Sequence, residues 1–133
     1  QPPAYVWRMV SNLGDTSGGH CGLNIVTGWN KPEYQHMGLW RGDEYYDRRY
    51  EFAAEYVAIL QDLWRQGSCA RESEFFSRNN CSCLPMPGRE IPIVSDGQSP
   101  NGVDFVAQNA HQDFVMAHPE KSKTSVIVSN RRA

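Results

Sequence analysis

Apolar residues recur along this chain with two different periods, one typical of helices and the other of strands. Across residues 46–64 they return at steps of three and four, which predicts an amphipathic helix with one buried face. We expect Asp43 to be the N-cap of this helix and Gly67 to end it. Weaker patterns of the same period predict the end of a helix within 3–13 and another helix over 101–110.

Three short runs rich in β-branched and apolar residues predict strands. They cover residues 23–27, 91–94 and 114–117, and Gly28 closes the first of them. Successive side chains of a strand point to opposite faces, so a strand covered on both faces would bury the amide of Asn24. An amide buried in this way has to find hydrogen-bond partners, because leaving it unpaired is costly.

The predicted elements follow the order helix end, strand, helix, strand, helix, strand. This alternation predicts the α/β class, with about three parallel strands joined by crossover helices. A complete (β/α)8 barrel needs about 250 residues, so a chain of 133 residues would hold only part of one. Open sheet edges in such a part invite association, which makes a homo-oligomer a reasonable expectation. Residues 68–89 are predicted to be irregular, with a short hairpin formed by Phe75-Phe76 and the Cys81/Cys83 pair.

Composition and charge narrow the function classes. The chain has a formal net charge of −2 and no long apolar run, so it resembles neither a nucleic-acid-binding protein nor a membrane-spanning one. It begins with Gln1 rather than Met and shows no secretory signal. We therefore expect the chain to begin inside a longer, cytoplasmic protein.

The cysteines and histidines do not predict a metal site or a redox motif. Cys21, Cys69, Cys81 and Cys83 could pair as disulfides, but in a reducing compartment we expect free thiols. The Cys-Ser-Cys spacing fits neither a zinc knuckle nor a redox pair with two intervening residues. The four histidines are scattered, without helical spacing, so no metal site is predicted.

Short motifs lie close together between residues 17 and 62, and one more follows the second predicted strand. They read Gly-Leu-Asn-Ile-Val-Thr-Gly-Trp at 22–29, Pro-Glu-Tyr at 32–34, Met-Gly-Leu-Trp at 37–40, Gly-Asp-Glu-Tyr-Tyr at 42–46, Arg-Arg-Tyr at 48–50, Glu-Tyr-Val at 55–57 and Gly-Gln-Ser at 97–99. In these motifs the chain closely resembles the bacterial luciferase-like flavin monooxygenases, and within that superfamily the pyrimidine monooxygenases. The resemblance extends from Pro2 to about Met116 and leaves 118–133 as a divergent tail. It implies that residues 1–133 are a single central fragment of the (β/α)8 barrel domain of this superfamily.

The resemblance implies a TIM barrel enzyme that uses FMN. In this family a separate flavin reductase reduces FMN with NADH or NADPH, and the enzyme uses O₂ to oxygenate and open a pyrimidine ring, uracil or thymine, to a ureido acid. No metal is needed, because the cofactor carries the redox chemistry. Three alternatives stay open: a truncated, non-catalytic remnant of the superfamily, a flavin-binding module, and a monooxygenase for another substrate such as an alkanesulfonate.

The resemblance also implies a set of cofactor-binding residues, whereas no catalytic residue is identified. Asn24 matches a flavin-contacting amide, which can both donate and accept a hydrogen bond, and Glu33 matches a flavin-contacting acid in the following loop. Arg49 and Tyr50 match an Arg-Tyr pair at the phosphate, where a guanidinium fits well. Ser99 matches a serine just before a helix whose free N–H groups favour an anion. Without the resemblance they would be interpreted as ordinary core, surface and capping residues.

Two departures from the family pattern bear on this expectation. Asp96 stands beside the Gly-Gln-Ser turn where the family has a small neutral residue, and its carboxylate would repel a phosphate. His20 and Cys21 replace an Arg-Phe pair ahead of the first predicted strand. The other strands that carry the substrate pocket in the family fall outside this chain, so the resemblance does not determine the substrate.

Overall fold

Helices and strands alternate along the chain in the computed structural model, which describes residues 1–28, 30–76 and 81–114. The helices are α1 (Pro3–Thr16), α2 (Lys31–His36), α3 (Asp43–Asp47), α4 (Arg49–Gln66) and α5 (Pro100–Asn109). The strands are β1 (Leu23–Ile25), β2 (Ser68–Cys69), β3 (Cys81–Ser82), β4 (Ile93–Ser95) and β5 (Gln112–Asp113). The predicted helices near the start, in the middle and near residue 105 are all confirmed.

A parallel sheet of three strands forms the centre of the fold, in the order β1-β4-β5. Asn24 lies opposite Val94, and Val94 lies opposite Gln112. The connection from β1 to β4 contains α4, and the connection from β4 to β5 is α5. The α/β class and the parallel strands with crossover helices are therefore confirmed.

The strands are shorter than predicted. β1 ends at Ile25 rather than at residue 27, and β4 begins at Ile93 rather than at residue 91. β5 occupies residues 112–113, ahead of the predicted third strand. Residues 115–117 of that prediction and the tail at 118–133 lie outside the described residues. The differences arise because a strand extends only where a neighbour runs beside it, and the local sequence does not contain that neighbour.

The core is one cluster that joins α4 to α1, to α5 and to the sheet. Val57, Leu60 and Leu63 of α4 are fully buried, as is Ile93 of the central strand. Trp7 brings α1 into the same cluster. Each fully buried side chain of this kind stabilises the fold by about 1.5–3 kcal/mol. The apolar face of α4 therefore holds the helices and the sheet together.

None of the described elements covers the opposite face of the sheet. Asn24 and Gln112 are exposed on it, and by the alternation of side chains Val26 and Phe114 lie on the same side, 49% and 58% exposed. A buried Asn24 amide was predicted on the condition that both faces of the strand are covered. The described elements cover only one face, so this condition is not met and the amide is exposed.

The long helix begins differently from the prediction. Gly42, with a φ of 105°, is the N-cap, and Asp43 is the first helical residue of α3 rather than a cap. The helix then breaks at Arg48 (φ −96°, ψ 12°), and α4 begins at the next residue. A positive φ favours glycine, which explains why residue 42 is a glycine. The apolar period continues across the break, so the pattern alone could not locate it.

One further helix feature agrees with the sequence prediction, and another was not predicted. Gly67 ends α4 in the left-handed conformation, with a φ of 70°, as predicted. The stretch after β1 contains α2, a short helix that the apolar pattern did not indicate, with Pro32 in its first turn. Among the described residues, none of the helices combines the length and the apolar character needed to cross a membrane.

β2 and β3 form a separate antiparallel pair. The predicted pairing is therefore right about a strand at Cys81 but wrong about its partner, which is Ser68–Cys69 at the end of α4 rather than Phe75 and Phe76. The segment that leads away from β2 is tied to the helix by ion pairs. Arg48 donates to Glu74 at 2.7 Å, and Arg71 donates to Asp62 at 3.0 Å. Solvent-accessible pairs of this kind contribute at most about 1 kcal/mol each. The rings of Phe75 and Phe76 pack on Phe52 and hold the same segment against α4.

We predict that Gly97→Ala destabilises the fold. A Cβ at this position would overlap the backbone of Gly102 in the first turn of α5, and that backbone cannot move without shifting the helix. The free energy of unfolding, measured by urea denaturation, should fall by about 2–3 kcal/mol. Gly88→Ala is the matched control, because a Cβ there meets nothing within 4 Å, and it should change stability by less than about 0.5 kcal/mol. Equal effects of the two substitutions would contradict the close approach at Gly97.

Candidate functional site

Ser99 and Tyr50 meet where β4 gives way to α5. Ser99 is the N-cap of α5, and its Oγ accepts a hydrogen bond from the N–H of Gly102 at 3.1 Å. The hydroxyl of Tyr50, in the first turn of α4, lies 3.2 Å from the same Oγ. The fold thus joins two polar side chains that are 49 residues apart in the sequence.

This arrangement leaves one hydroxyl proton for a ligand. The Ser99 and Tyr50 hydroxyls share one hydrogen bond, in which either oxygen can be the donor. In both cases the O–H of the accepting group is not used in that contact and can donate to an anionic oxygen. The start of α5 adds the partial positive charge of the helix dipole at the same place. The pair therefore has the chemistry of an anion site.

Glycine at position 102 lets the Tyr50 hydroxyl approach the backbone of α5. A Cβ at this position would lie 2.6 Å from that hydroxyl and would push the ring away. The ring itself packs against Phe105 of α5, with the two centroids 5.8 Å apart. Packing and glycine together place the hydroxyl at the helix N-terminus.

Arg49 lies between two aromatic rings beside this pair. Its guanidinium carbon is 4.1 Å from the centroid of the Tyr46 ring and 4.7 Å from that of Tyr50. One of its N–H groups donates to the carbonyl oxygen of Tyr46 at 2.8 Å. Across the described ranges, no carboxylate forms an ion pair with Arg49. Most of its five N–H donors are therefore left for a ligand.

A cavity of about 890 Å³ adjoins Arg49. Asn24 lines this cavity together with Arg49, and so do the residues that follow β1. Gly28, with a φ of 77°, lies so close to Tyr34 that a Cβ would be 2.7 Å from the phenol oxygen. The ring of Tyr34 consequently covers the backbone at the end of β1. Arg49 connects the cavity with the hydroxyl pair at α5.

Phe52 is the centre of an aromatic wall on one side of this cavity. Its ring centroid lies 4.7 Å from that of Phe76, 5.2 Å from Tyr45 and 5.5 Å from Phe75. Arg41 stacks over Phe52 at 5.3 Å. This wall was not predicted from the sequence. The helical spacing of the aromatic residues on α4 was the available signal, but by itself that spacing predicts only a buried helix face.

Burial raises the pKa of two tyrosines in the same wall. It raises the pKa of Tyr56 to about 12. It also raises the pKa of Tyr45, an effect that the nearby Arg41 guanidinium partly offsets. Both phenols stay protonated at neutral pH, and the Tyr56 hydroxyl donates to the carbonyl oxygen of Gln1 at 3.0 Å. The wall is therefore uncharged apart from its arginine, which suits the face of a flat aromatic ligand.

Glu33 and Asp96 lie apart from this arrangement. Glu33 is exposed on α2, where its carboxylate accepts a hydrogen bond from the Asn30 amide at 3.4 Å, and it does not line the cavity. Asp96 is exposed directly after β4. Of the predicted cofactor-binding residues, Glu33 is the one that lies outside both the hydroxyl pair with its arginine and the described cavity.

Comparison with known proteins gives the family. The sequence model of the luciferase-like monooxygenases matches residues 1–133. The pyrimidine monooxygenase RutA of Bradyrhizobium sp. is 42% identical over 131 residues, which are 98% of this chain and 36% of the relative. RutA of Acinetobacter baylyi is 44% identical over 131 residues, with the same coverage of both chains. The chain thus spans about a third of the length of these curated relatives.

Solved structures have the same fold. The EDTA monooxygenase (EmoA) from Chelativorans sp. BNC1 has a TM-score of 0.72 and 20% identity, over 86% of this chain and 31% of that one. An F420-dependent secondary alcohol dehydrogenase, in complex with an F420-acetone adduct, has a TM-score of 0.70 and 20% identity, over 84% and 33%. At this level of identity the likeness is evidence for the fold alone.

The family match and the site involve the same residues. The Arg-Arg-Tyr and Gly-Gln-Ser motifs carried the resemblance in the sequence, and in the structure they form the contact between α4 and the start of α5. The family match also covers the whole chain. The chain therefore belongs to the luciferase-like monooxygenase family.

Proposed function

We propose that this chain is part of an FMN-dependent monooxygenase that opens the ring of uracil or thymine to a ureido acid. Its co-substrate would be O₂, and a separate cytoplasmic flavin reductase using NADH or NADPH would supply the reduced FMN. Relatives at 42% and 44% identity are pyrimidine monooxygenases, which favours a pyrimidine over other substrates. Because the chain spans about a third of these relatives, the activity is proposed for a protein in which it is one part.

The observation that carries this proposal is the anion site at the start of α5. Tyr50 and Ser99 lie 3.2 Å apart there, and the Arg49 guanidinium stacks on the Tyr50 ring. A phosphate monoester accepts hydrogen bonds from hydroxyls and from a guanidinium, and it is favoured at a helix N-terminus. FMN differs from riboflavin by such a phosphate. These three residues therefore fit the phosphate of FMN.

Asn24 and the aromatic wall fit the ring system of the same cofactor. The amide of Asn24 is exposed in the cavity and offers both a donor and an acceptor to the polar edge of an isoalloxazine. The rings around Phe52 offer aromatic faces and edges for a flat ligand. Glu33 is proposed as a further flavin contact, which requires its carboxylate to exchange Asn30 for the cofactor.

When bound, reduced FMN supplies the electrons with which O₂ is activated for attack on the pyrimidine ring. The residues of this chain bind and orient the cofactor. Arg49 balances the phosphate charge, and the Tyr50 and Ser99 hydroxyls hold its position. The aromatic wall keeps water away from one side of the cavity. Asp96 is exposed, so solvent and salt screen its repulsion of the phosphate.

The first test of this function is a titration of the purified chain with FMN and with riboflavin, followed by flavin fluorescence, with circular dichroism in parallel. We expect a folded chain that binds FMN saturably and more tightly than riboflavin. A folded chain without a preference for FMN would contradict the phosphate site. In a longer protein that contains this sequence, an assay with reductase, O₂ and uracil tests the reaction, and unchanged uracil and thymine would contradict the substrate.

We predict that Arg49→Ala weakens FMN binding by about 10- to 100-fold, the usual value of hydrogen bonds to a charged group. Riboflavin affinity should hardly change, because riboflavin has no phosphate. Arg65→Ala is the matched control: this arginine is also on α4, but it is exposed and pairs with Glu90 at 3.3 Å. An equal loss of affinity for FMN and riboflavin would show that Arg49 does not contact the phosphate.

We predict that Asn24→Ala weakens binding of FMN and riboflavin alike, by about 3- to 10-fold, because a neutral hydrogen bond to the shared ring is lost. Stability should change by less than about 0.5 kcal/mol, since the side chain is exposed. The comparison is with Gln108→Ala, which removes an exposed amide from α5. Unchanged affinity for both flavins would show that Asn24 does not contact the ring.

A further inference from the structure

Two thiols lie side by side beyond the end of α4, away from the anion site. The four cysteines are free, as predicted. Cys81 and Cys83 flank Ser82, and alternate residues of an extended chain point to the same side. Their Sγ atoms are 3.7 Å apart. This is already contact distance for two sulfur atoms.

The two thiols differ in access. Cys81 is half-buried and lines the large cavity, whereas Cys83 is only 3% exposed. Burial and the neighbouring Cys81 thiol raise the pKa of Cys83 to about 11, so Cys83 remains a thiol at neutral pH. Cys69 is paired with Cys81 across the two strands, but its sulfur contacts a carboxylate oxygen of Asp62 at 3.7 Å. The accessible sulfur of Cys81 thus faces the buried sulfur of Cys83, while the sulfur of Cys69 contacts Asp62 instead.

We propose that Cys81 and Cys83 are an oxidation site that forms a reversible disulfide with hydrogen peroxide as the oxidant. Neither residue belongs to the proposed flavin contacts, so the inference does not depend on the substrate or on the cofactor. The required movement is small, because the two sulfur atoms only have to close from 3.7 Å to a bond length of about 2.05 Å.

The reaction proceeds in two balanced steps. The Cys81 thiolate attacks one oxygen of hydrogen peroxide, the O–O bond breaks, and the products are a sulfenic acid on Cys81 and hydroxide, which is protonated to water. The Cys83 sulfur then attacks the sulfenic sulfur, the S–O bond breaks as the S–S bond forms, and the Cys83 proton leaves with the hydroxide as a second water. Together the thiols lose two electrons and the peroxide gains them. A thiol reductant reverses the bond by exchange.

The backbone around Ser82 accommodates the disulfide. Alternate Cα atoms of a strand are about 6.6 Å apart, which lies within the range of about 4.4–6.8 Å that is usual for a disulfide. The N–H of Cys83 contacts the Gly67 carbonyl oxygen at 2.8 Å, and Cys81 lines the cavity, so the bond lies at the edge of the β2–β3 pair.

Peptide mapping tests the proposal, because trypsin separates the relevant cysteines. Cys81 and Cys83 share the peptide 79–89, whereas Cys69 lies in 66–71. The reduced, folded chain is treated with hydrogen peroxide, alkylated with iodoacetamide, digested and analysed by mass spectrometry. We expect peptide 79–89 to be lighter by two hydrogen atoms and unalkylated, and Cys21 and Cys69 to be alkylated. Treatment with dithiothreitol before alkylation should reduce the disulfide, so that Cys81 and Cys83 are both alkylated.

Variants separate this pair from other thiol chemistry. Cys83→Ser should stop the reaction at a sulfenic acid on Cys81, which dimedone captures. Cys69→Ser and the matched control Cys21→Ser should both form the bond at the rate of the unsubstituted chain. A cross-link between 66–71 and 79–89 would overturn the proposal in favour of a bond between the two strands. Full alkylation of all four cysteines after peroxide would overturn it as well.

Discussion

Burial of the apolar face of α4 holds the helices and the sheet together and keeps the candidate site in place. Val57, Leu60 and Leu63 are fully inside the core, and each such side chain contributes about 1.5–3 kcal/mol. The helix is 18 residues long and regular, so holding its middle also positions its two ends. Its first turn carries Arg49 and Tyr50, and its last turn leads into β2, beside the two adjacent thiols.

The anion site depends on how closely two backbones approach. Gly97 and Gly102 lie so close that a side chain on either would collide with the other segment. This approach brings the start of α5 within reach of the Tyr50 hydroxyl, which then shares a hydrogen bond with Ser99. The Gly-Gln-Ser motif is thus both a structural and a binding feature: its glycine allows the packing, and its serine presents the hydroxyl.

The sequence predicted those parts of the fold that depend on nearby residues. The period of apolar positions identified α4. Gly67 marked the end of this helix, because the left-handed conformation that commonly ends a helix favours glycine. The prediction placed the N-cap at Asp43, one residue after the actual cap, Gly42. The break at Arg48 was not predicted, because the apolar pattern continues through it. The aromatic wall, to which Phe75 and Phe76 contribute from a segment tied to the helix by ion pairs, was not predicted either.

The residue pattern predicts the α/β alternation, the amphipathic face of α4, the capping position of Ser99 and, through the motifs, the family. Exposure and side-chain contacts became known only from the folded chain: Asn24 is exposed, Tyr50 meets Ser99, and the Cys81 and Cys83 sulfur atoms touch while Cys69 contacts Asp62. The two groups differ in the range of the interactions that produce them. Period, capping and glycine conformation act over a few residues, whereas exposure and side-chain contact depend on which distant segments the core brings together.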